Sequence, residues 1–257
     1  QVVAPDRDSA ERIASRQLRE LGRMRRDFNI FGMPVPLKDF EQSVVDAIME
    51  GKYVSSRVLR YGGWREFAEK VKSKYDRLNV LINNAGSRFS EYQKSSDEIE
   101  LTFATNHLGH FLLTYLLLDI LKKSDNARVI NVSSSAHYGK QMDIDDLVSP
   151  KEYNRSLIYG RSKLANVLFT YEFVRRNNNS NIVMNAVDPG GVATNFAKNE
   201  GFFRWLKHIG FYIAKRQLLT PKQGAETVIY LASSEDVKNV TGKFFYEKKE
   251  KRSSDES

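Results

Sequence analysis

The sequence predicts an α/β fold, in which helices cover both faces of a doubly wound parallel sheet. Short apolar stretches alternate with longer segments whose apolar residues recur at helical spacing. The short stretches are apolar almost throughout, which is typical of strands buried on both faces of a parallel sheet. The chain has 257 residues, 41% of them hydrophobic and 28% charged, so it can bury a large core.

The regular alternation begins near residue 64, and the crossovers between its parallel strands are expected to be right-handed. Helices are predicted over 64–77, 97–122, 155–177 and 222–234. Strands are predicted over 79–83, 127–133, 181–187 and 241–246. We expect residues 1–246 to form a single domain.

The two ends of the chain are less regular. Residues 1–8 indicate a short strand that runs into a loop, and residues 9–22 indicate a helix. Residues 23–63 form an atypical segment, with a short helix over 38–50 and a strand over 53–59. The polar tail 247–257 carries four basic and four acidic side chains and is predicted to be disordered.

The composition excludes several kinds of site. There are no cysteines, so disulfides, iron–sulfur clusters, thiolate zinc sites and a cysteine nucleophile are excluded. Among only four histidines, His107 and His110 lack a third ligand nearby, and no metal site is expected. The apolar run 111–121 is too short to span a bilayer and contains Asp119, so no transmembrane segment is expected.

The net charge of +8 favours anionic partners, namely a phosphorylated cofactor, a membrane surface or nucleic acid. The basic cluster between Arg16 and Arg26 comes without a nucleic-acid-binding motif. We interpret it as a solvated helix face and expect no nucleic-acid partner.

Small and polar residues follow three of the predicted strands. Asn83-Asn84-Ala85-Gly86 follows the first, Ser134-Ser135 the second, and Asp188-Pro189-Gly190-Gly191, with Thr194 close behind, the third. Each group by itself is also typical of a simple turn. Ligands of such sheets bind at the carboxyl ends of the strands, so together the three groups predict one ligand site.

Two helices add side chains that can carry chemistry. Tyr159 and Lys163 are four residues apart and lie on one helix face. A nearby ammonium lowers the pKa of a phenol, so Tyr159 could exchange protons near neutral pH; a surface cation–π contact is the structural alternative. Asn106 and His110 interrupt an apolar helix face. A buried asparagine needs partners, and Asn106 could bond the neighbouring backbone or belong to the site.

In this order, these pieces resemble the short-chain dehydrogenase/reductase family, which implies a Rossmann-like fold. The resemblance covers roughly residues 64–247. It is tighter to the retinol dehydrogenase-like branch, which includes the relative that carries WW domains. The segments that resemble this branch are 106-NHLGHFLLT-114, 128-RVINVSSSAH-137, 159-YGRSKLANVLFT-170, 188-DPGGVATN-195 and 241-TGKFF-245.

The resemblance implies a role for each residue that matches a motif. Tyr159 would be the general acid/base, and Ser134, selected by the register of its motif, would hydrogen-bond the substrate oxygen. Lys163 would lower the pKa of Tyr159 and hold the nicotinamide ribose, while Asn106 would position a water in a proton relay. The cofactor-binding residues would be Arg7, Asn83, Ala85, Gly86, Tyr159, Lys163, Pro189, Gly190 and Thr194.

The implied activity is the interconversion of an alcohol and a carbonyl on a lipophilic substrate. NADP(H) is favoured over NAD(H), because Arg7 follows the first predicted strand and suits a 2′-phosphate. The aromatic and basic segment 201–216 would be a lipophilic substrate lid, with a membrane-surface contact and a helix pair capping the core as alternatives. The protein is expected to be cytoplasmic or membrane-associated.

One family motif is missing. The glycines before Gly86 do not form the Gly-x-x-x-Gly-x-Gly spacing of the turn that holds the pyrophosphate, and Tyr61-Gly62-Gly63 stands where the family has Asp-Leu. The N-terminal strand–turn–helix unit is therefore expected to be incomplete or atypical. An incomplete chain, which the first residue Gln1 favours, and a natural variant both explain this. The alternative function is a truncated or catalytically silent family member without normal cofactor binding.

Overall fold

Five strands form one sheet in the part of the chain that the structure describes. This computed structural model describes residues 61–95, 97–143, 146, 150, 152–177, 180–192 and 219–253. The strands are β1 (Val80–Asn83), β2 (Ala127–Val132), β3 (Ile182–Asp188), β4 (Phe244–Tyr246) and β5 (Lys249–Lys251). They lie side by side in chain order; β1 to β4 are parallel, and β5 pairs with β4 in the antiparallel sense.

The helices lie between the strands, as the alternation predicts. They are α1 (Tyr61–Lys74), α2 (Leu101–Phe103), α3 (Gly109–Leu116), α4 (Leu118–Lys122), α5 (Arg155–Arg176) and α6 (Pro221–Ser233). A π-helical segment, Ala104–Leu108, joins α2 to α3, and 3-10 turns occupy Ser135–His137 and Glu235–Val237. None of the described helices is long and apolar enough to cross a membrane.

Side chains alternate along each strand, so the strands present apolar residues to both faces of the sheet. Helices cover both of these faces. Leu81, Val129 and Met184 face a core cluster supplied by α1, α3 and α5, which includes Trp64, Leu113 and Phe173. Val80, Ile130 and Val187 face the opposite cluster, to which α6 contributes Val228 and Leu231. The predicted α/β architecture is confirmed. The described strands follow one another across the sheet in a single direction. A doubly wound sheet has two such directions, and the described strands represent one of them.

Polar caps fix where the site-bearing helices begin. The Asn154 side chain accepts hydrogen bonds from the backbone N–H groups of Ser156 and Leu157, which starts α5 shortly before Tyr159. The carboxylate of Glu100 accepts from the N–H of Phe103 at 2.7 Å and starts α2. Each cap satisfies backbone donors that the helix leaves without partners.

The single helix predicted over 97–122 is wrong in two respects. Residues before Leu101 form a turn instead, in which Glu98 has a φ of +62° and its N–H bonds the carbonyl of Ser95. The helix is then interrupted by the π-helical segment and again at Leu117, whose φ and ψ are −99° and 3°. The spacing of apolar residues does not reveal these interruptions, because the buried face of the helix continues through them. Short π-helical segments frequently occur at functional sites.

The predicted disorder of the tail 247–257 is wrong for residues 247–253. Glu247 and Lys248 both have positive φ and make a two-residue turn, so that Phe245 pairs with Glu250 across the hairpin. The Tyr138 hydroxyl also donates to the carbonyl of Arg252 at 2.8 Å. Backbone pairing with a buried strand thus orders a segment whose composition is polar. Residues 254–257 lie outside the described residues, as do the elements predicted before residue 61.

Candidate active site

The carboxyl ends of β1, β2 and β3 place the three predicted loops at one edge of the sheet. The strands are parallel, and their last residues are in register: Asn83 pairs with Asn131, and Val132 pairs with Val187. The N-terminal half of α5 packs against the turn that follows β2. This edge is where α/β sheets bind their ligands.

Lys163 lies at the centre of this edge and is 3% exposed. Its Nζ donates to the carbonyl oxygen of Val132 at 3.1 Å. Burial lowers the pKa of Lys163 to about 8, and the negative charge of Asp188 partly opposes this change. At neutral pH the ammonium is therefore mostly protonated, although its pKa is close to neutral pH.

Two cations flank the ring of Tyr159. The Nζ of Lys163 lies 5.7 Å from the ring centroid, and the guanidinium carbon of Arg88 lies 5.9 Å from it. Positive charges near a phenol stabilise its ionised form. Arg88, in the loop after β1, was missed in the sequence; its position two residues after Gly86 is the only signal that could have pointed to it.

The two neighbouring serines after β2 have different surroundings. Ser133 is buried, and its hydroxyl donates to the carbonyl of Lys163 at 2.8 Å, which ties α5 to the strand end. Ser134 is only partly buried and caps the 3-10 turn, where its hydroxyl accepts from the N–H of Ala136 at 3.2 Å. A hydroxyl can both donate and accept. Ser134 therefore keeps a donor for a ligand oxygen.

Asn106 lies in the π-helical segment and is completely buried. Its side-chain oxygen accepts from the N–H of Ser87 at 2.8 Å, and its amide donates to the carbonyl of Ser87 and the hydroxyl of Ser162. The side chain therefore bonds the backbone of the loop after β1, and the role of Asn106 in the site stays a prediction. Asn106 thereby holds the loop after β1 against α5.

The loop after β1 approaches Lys163 closely. A Cβ on Gly86 would lie 3.2 Å from Oδ1 of Asn106 and 3.6 Å from Nζ of Lys163. Ala85, the preceding residue, is partly buried. A side chain at position 86 would fill the space beside Lys163, so glycine keeps this cradle open.

The side chain of Asn83 forms hydrogen bonds in the interior of the protein. Its side-chain amide donates to the hydroxyl of Thr114 and to the side-chain oxygen of Asn131, at 3.0 and 2.8 Å. The side-chain amide of Asn83 is thus bonded to α3 and β2, and the contact of Asn83 with a cofactor stays a prediction. The motif indicated the right loop, but one residue of it points inward because side chains alternate along β1.

The loop after β3 is shaped by Asp188 and Gly190. Gly190 has a φ of +82°, which favours glycine, and its N–H donates to Oδ1 of Asp188 at 2.9 Å. Pro189 lies between them and is partly buried. The remaining predicted cofactor residues, Arg7 and Thr194, lie outside the described residues, as does the predicted substrate lid 201–216.

Asn166 is a second residue that sequence reasoning missed. It is fully buried, and its amide donates to the carbonyls of Asn106 and Val132 at 3.0 and 3.2 Å. Its side-chain oxygen lies 3.0 Å from Nδ1 of His107. The available signal was an asparagine within an apolar helix face, three residues after Lys163, because such a buried amide needs partners.

Two histidines, His107 and His110, lie in this region. Burial lowers the pKa of His107, and burial lowers that of His110 to about 3, with the charge of Lys163 acting in the same direction. Both rings are therefore neutral at neutral pH. No group of three or more metal-binding side chains occurs among the described residues.

The residues at this edge fit the nicotinamide end of a dinucleotide. The fit is indicated by the open cradle at Gly86, the buried ammonium beside it and the hydroxyls of Ser134 and Tyr159 at the same sheet edge. Lys163 and Tyr159 would hold the ribose and the reacting end, and Gly190 would line the other side.

Fold and site together define a Rossmann-like α/β protein with a tyrosine–lysine pair at its carboxyl sheet edge. The chain belongs to the short chain dehydrogenase family, whose model matches residues 41–202. The family resemblance predicted from the sequence is thereby confirmed, and relatives named retinol dehydrogenases confirm the predicted branch.

Individual relatives agree with this assignment. The chain is 43% identical to human Retinol dehydrogenase 14 over 186 residues, which cover 72% of this chain and 55% of that protein. It is 42% identical to human Polyprenol dehydrogenase over 197 residues, which cover 74% and 58%. The chain thus spans little more than half the length of these relatives.

Solved structures share the fold. A structure of an uncharacterized protein from Mycobacterium paratuberculosis is 33% identical, with a TM-score of 0.54 over 72% of this chain and 58% of that one. NADPH-bound carbonyl reductase from chicken fatty liver is 24% identical, with a TM-score of 0.51 over 72% and 70%. At that identity the second likeness concerns the fold alone.

Proposed function

We propose that this chain carries the catalytic site of an NADP(H)-dependent oxidoreductase that interconverts an alcohol and a carbonyl on a lipophilic substrate. One observation carries the proposal: the buried ammonium of Lys163 lies beside the ring of Tyr159 at the ligand edge of the sheet. The names of the relatives, retinol and polyprenol dehydrogenases, support a lipophilic alcohol or carbonyl as substrate.

In this mechanism the phenolic oxygen of Tyr159 exchanges a proton with the substrate oxygen. The positive charge of Lys163, with that of Arg88 nearby, stabilises the tyrosinate that forms when the proton leaves. The hydroxyl of Ser134 donates to the same substrate oxygen and stabilises charge that develops there. A bound nicotinamide supplies or accepts the hydride.

The preference for NADP(H) over NAD(H) rests on Arg7 and on the net charge of +8. An arginine binds a phosphate in bidentate fashion and suits the 2′-phosphate of NADP(H). We expect Arg7→Ala to weaken NADPH binding much more than NADH binding. An equal loss for both cofactors contradicts the assignment of Arg7.

A catalytically silent family member is the competing function, and the missing glycine-rich spacing before Gly86 favours it. Fluorescence titration of the chain with NADPH, with NADH alongside, separates the two. Saturable binding that Gly86→Val weakens supports the oxidoreductase site. A folded chain that binds neither cofactor supports the silent alternative.

Turnover tests the substrate class. The chain is assayed with NADPH and all-trans-retinal or a long-chain aldehyde, and in the reverse direction with NADP⁺ and the alcohols. Reduction of these substrates but not of short polar carbonyls supports the proposal. Cofactor binding without turnover of any lipophilic substrate overturns it.

Co-sedimentation with vesicles tests the proposed membrane-surface contact of 201–216.

A further inference from the structure

The carboxylate of Asp188 bonds the main chains of two different loops. Asp188 is the last residue of β3 and is 4% exposed. Its Oδ2 accepts from the N–H of Ser135 at 2.7 Å, and its Oδ1 accepts from the N–H of Gly190 at 2.9 Å. Each carboxylate oxygen therefore holds one loop.

Both loops carry residues of the proposed site. Ser135 directly follows Ser134, and Gly190 directly follows Pro189. The bonds reach from the end of β3 to the turn after β2 and to the turn after β3 itself. They tie the main chain next to Ser134 to the Pro189–Gly190 turn.

The charge of Asp188 also acts on the groups packed around it. Its negative charge raises the pKa values of Lys163 on α5, of His137 and Tyr138 in and after the turn that follows β2, and of Tyr246 on β4. Lys163 is the one of these four that is mostly cationic at neutral pH, and the charge of Asp188 raises its pKa against the effect of burial. The pKa of His137 is lowered, chiefly by burial, so that ring stays neutral.

We propose that Asp188 is a positioning residue whose carboxylate locks the Ser134 turn to the Pro189–Gly190 turn. Its catalytic consequence rests on the proposed oxidoreductase function. The clamp itself is a property of the folded chain alone.

The two bonds use both oxygens of the carboxylate, Oδ2 for Ser135 and Oδ1 for Gly190. An asparagine side chain of nearly the same volume has an NH₂ donor in place of one of these oxygens. Asp188→Asn therefore removes one acceptor and the charge while changing the shape little. Asp76→Asn, at an exposed position on the segment after α1, makes the same chemical change and is the matched control.

Two NMR measurements test the proposal without a cofactor. Amide exchange in the ¹⁵N-labelled chain reports the clamp: we expect the Ser135 and Gly190 amides to be protected and the D188N change to speed exchange of at least one by about tenfold or more. A pH titration with ¹³C-labelled lysine reports the charge. We expect the Lys163 midpoint near pH 8 in the wild type and in D76N, and at lower pH in D188N.

Amide exchange in the wild type can overturn the proposal. If the Ser135 and Gly190 amides exchange as fast as exposed amides, there is no clamp. If D188N leaves the Lys163 midpoint unchanged, the charge of Asp188 does not act on Lys163. Should D188N not fold, Asp188→Glu keeps the charge but displaces the carboxylate, and we then expect loss of amide protection with a Lys163 midpoint near that of the wild type.

Kinetics add the catalytic readout. The alkaline limit of turnover should move to lower pH in D188N, because Lys163 loses its charge earlier; a purely structural role would lower the rate equally at all pH values. If the chain has no turnover at all, the proposed function fails, while the two NMR results still decide the role of Asp188.

Discussion

Lys163 donates a hydrogen bond to the main-chain carbonyl of Val132, the last residue of β2. Asn166, further along α5, donates to the same oxygen at 3.2 Å. From the strand side, Ser133 donates to the carbonyl of Lys163. These bonds fix α5 against the end of the sheet, so the sheet determines where Lys163 and Tyr159 stand relative to Ser134.

Removing the Lys163 charge should change how stability depends on pH. Burial lowers the pKa of this ammonium from 10.5 to about 8, so between these values the unfolded chain holds a proton that the folded chain does not. The contribution of Lys163 to the free energy of unfolding therefore rises with pH across this window, and the cost of burying its charge is present in full below it. Lys163→Met should lack this rise.

Urea unfolding of wild type and Lys163→Met at several pH values between 7 and 10 measures the difference. We expect the stability gap between them to shift in favour of the wild type as the pH rises. Lys122→Met, at an exposed position, should follow the wild type. A gap that does not change with pH contradicts the buried, weakly basic state of Lys163.

Tyr159→Phe should abolish turnover and leave NADPH binding nearly unchanged. The substitution removes only the hydroxyl that exchanges the proton, and general acid/base groups typically contribute about 10²–10⁴-fold. Turnover and fluorescence titration are measured on the same preparation. Tyr115→Phe makes the same change at a side chain that is 67% exposed and should retain full turnover. Unchanged turnover in Tyr159→Phe would mean that another group supplies the proton.

Asn166→Leu should destabilise the fold and lower turnover as well. The change removes the donors to the carbonyls of Asn106 and Val132 and the acceptor beside His107. Each buried polar group left without a partner costs about 1–3 kcal/mol. Asn177→Leu, at the end of the same helix, removes a single side-chain bond among the described residues, the one to the Phe173 carbonyl, so the cost should be smaller. Thermal unfolding compares the two, and equal losses would argue against the central position of Asn166.

Stability should fall in acid because three histidines are harder to protonate in the folded chain than in the unfolded chain. The pKa values of His107, His110 and His137 are all lowered, chiefly by burial, and that of His110 falls to about 3. Below the unfolded value of 6.5 the unfolded chain binds more protons, so the free energy of unfolding decreases as the pH drops. Urea unfolding at pH 7, 6 and 5 measures this. His110→Met should show a smaller decrease, and an identical decrease would indicate that His110 is protonated in the folded state.

Local patterns predicted most of the described elements. The helix over 155–177 and the strand over 127–133 agree with α5 and β2 to within one residue at each end. The prediction failed where a local pattern was overridden: in the helix that starts at Leu101 rather than 97, and in the hairpin at 247–251. There, a positive-φ turn and pairing with β4 decide the backbone, and neither leaves an apolar period in the sequence.

The candidate site shows the same division. Tyr159, Lys163, Ser134 and Gly86 could be predicted because motif spacing places them at strand ends or on one helix face. Other features depend on contacts between residues far apart in the chain. They are the inward side chain of Asn83, the bonds of Asn166 and the closeness of Arg88 to Tyr159. No short pattern encodes such contacts.

The sequence by itself determined the alternation of helices and strands and the chemical groups available at the sheet edge, because both follow from side-chain order along the chain. Only the tertiary structure decided which groups act together. Burial lowers the pKa of Lys163, and packing brings the side-chain oxygen of Asn106 to the N–H of Ser87. The two oxygens of Asp188 are divided between two loops. These properties arise from desolvation and long-range hydrogen bonds, which exist only once distant segments have been brought together.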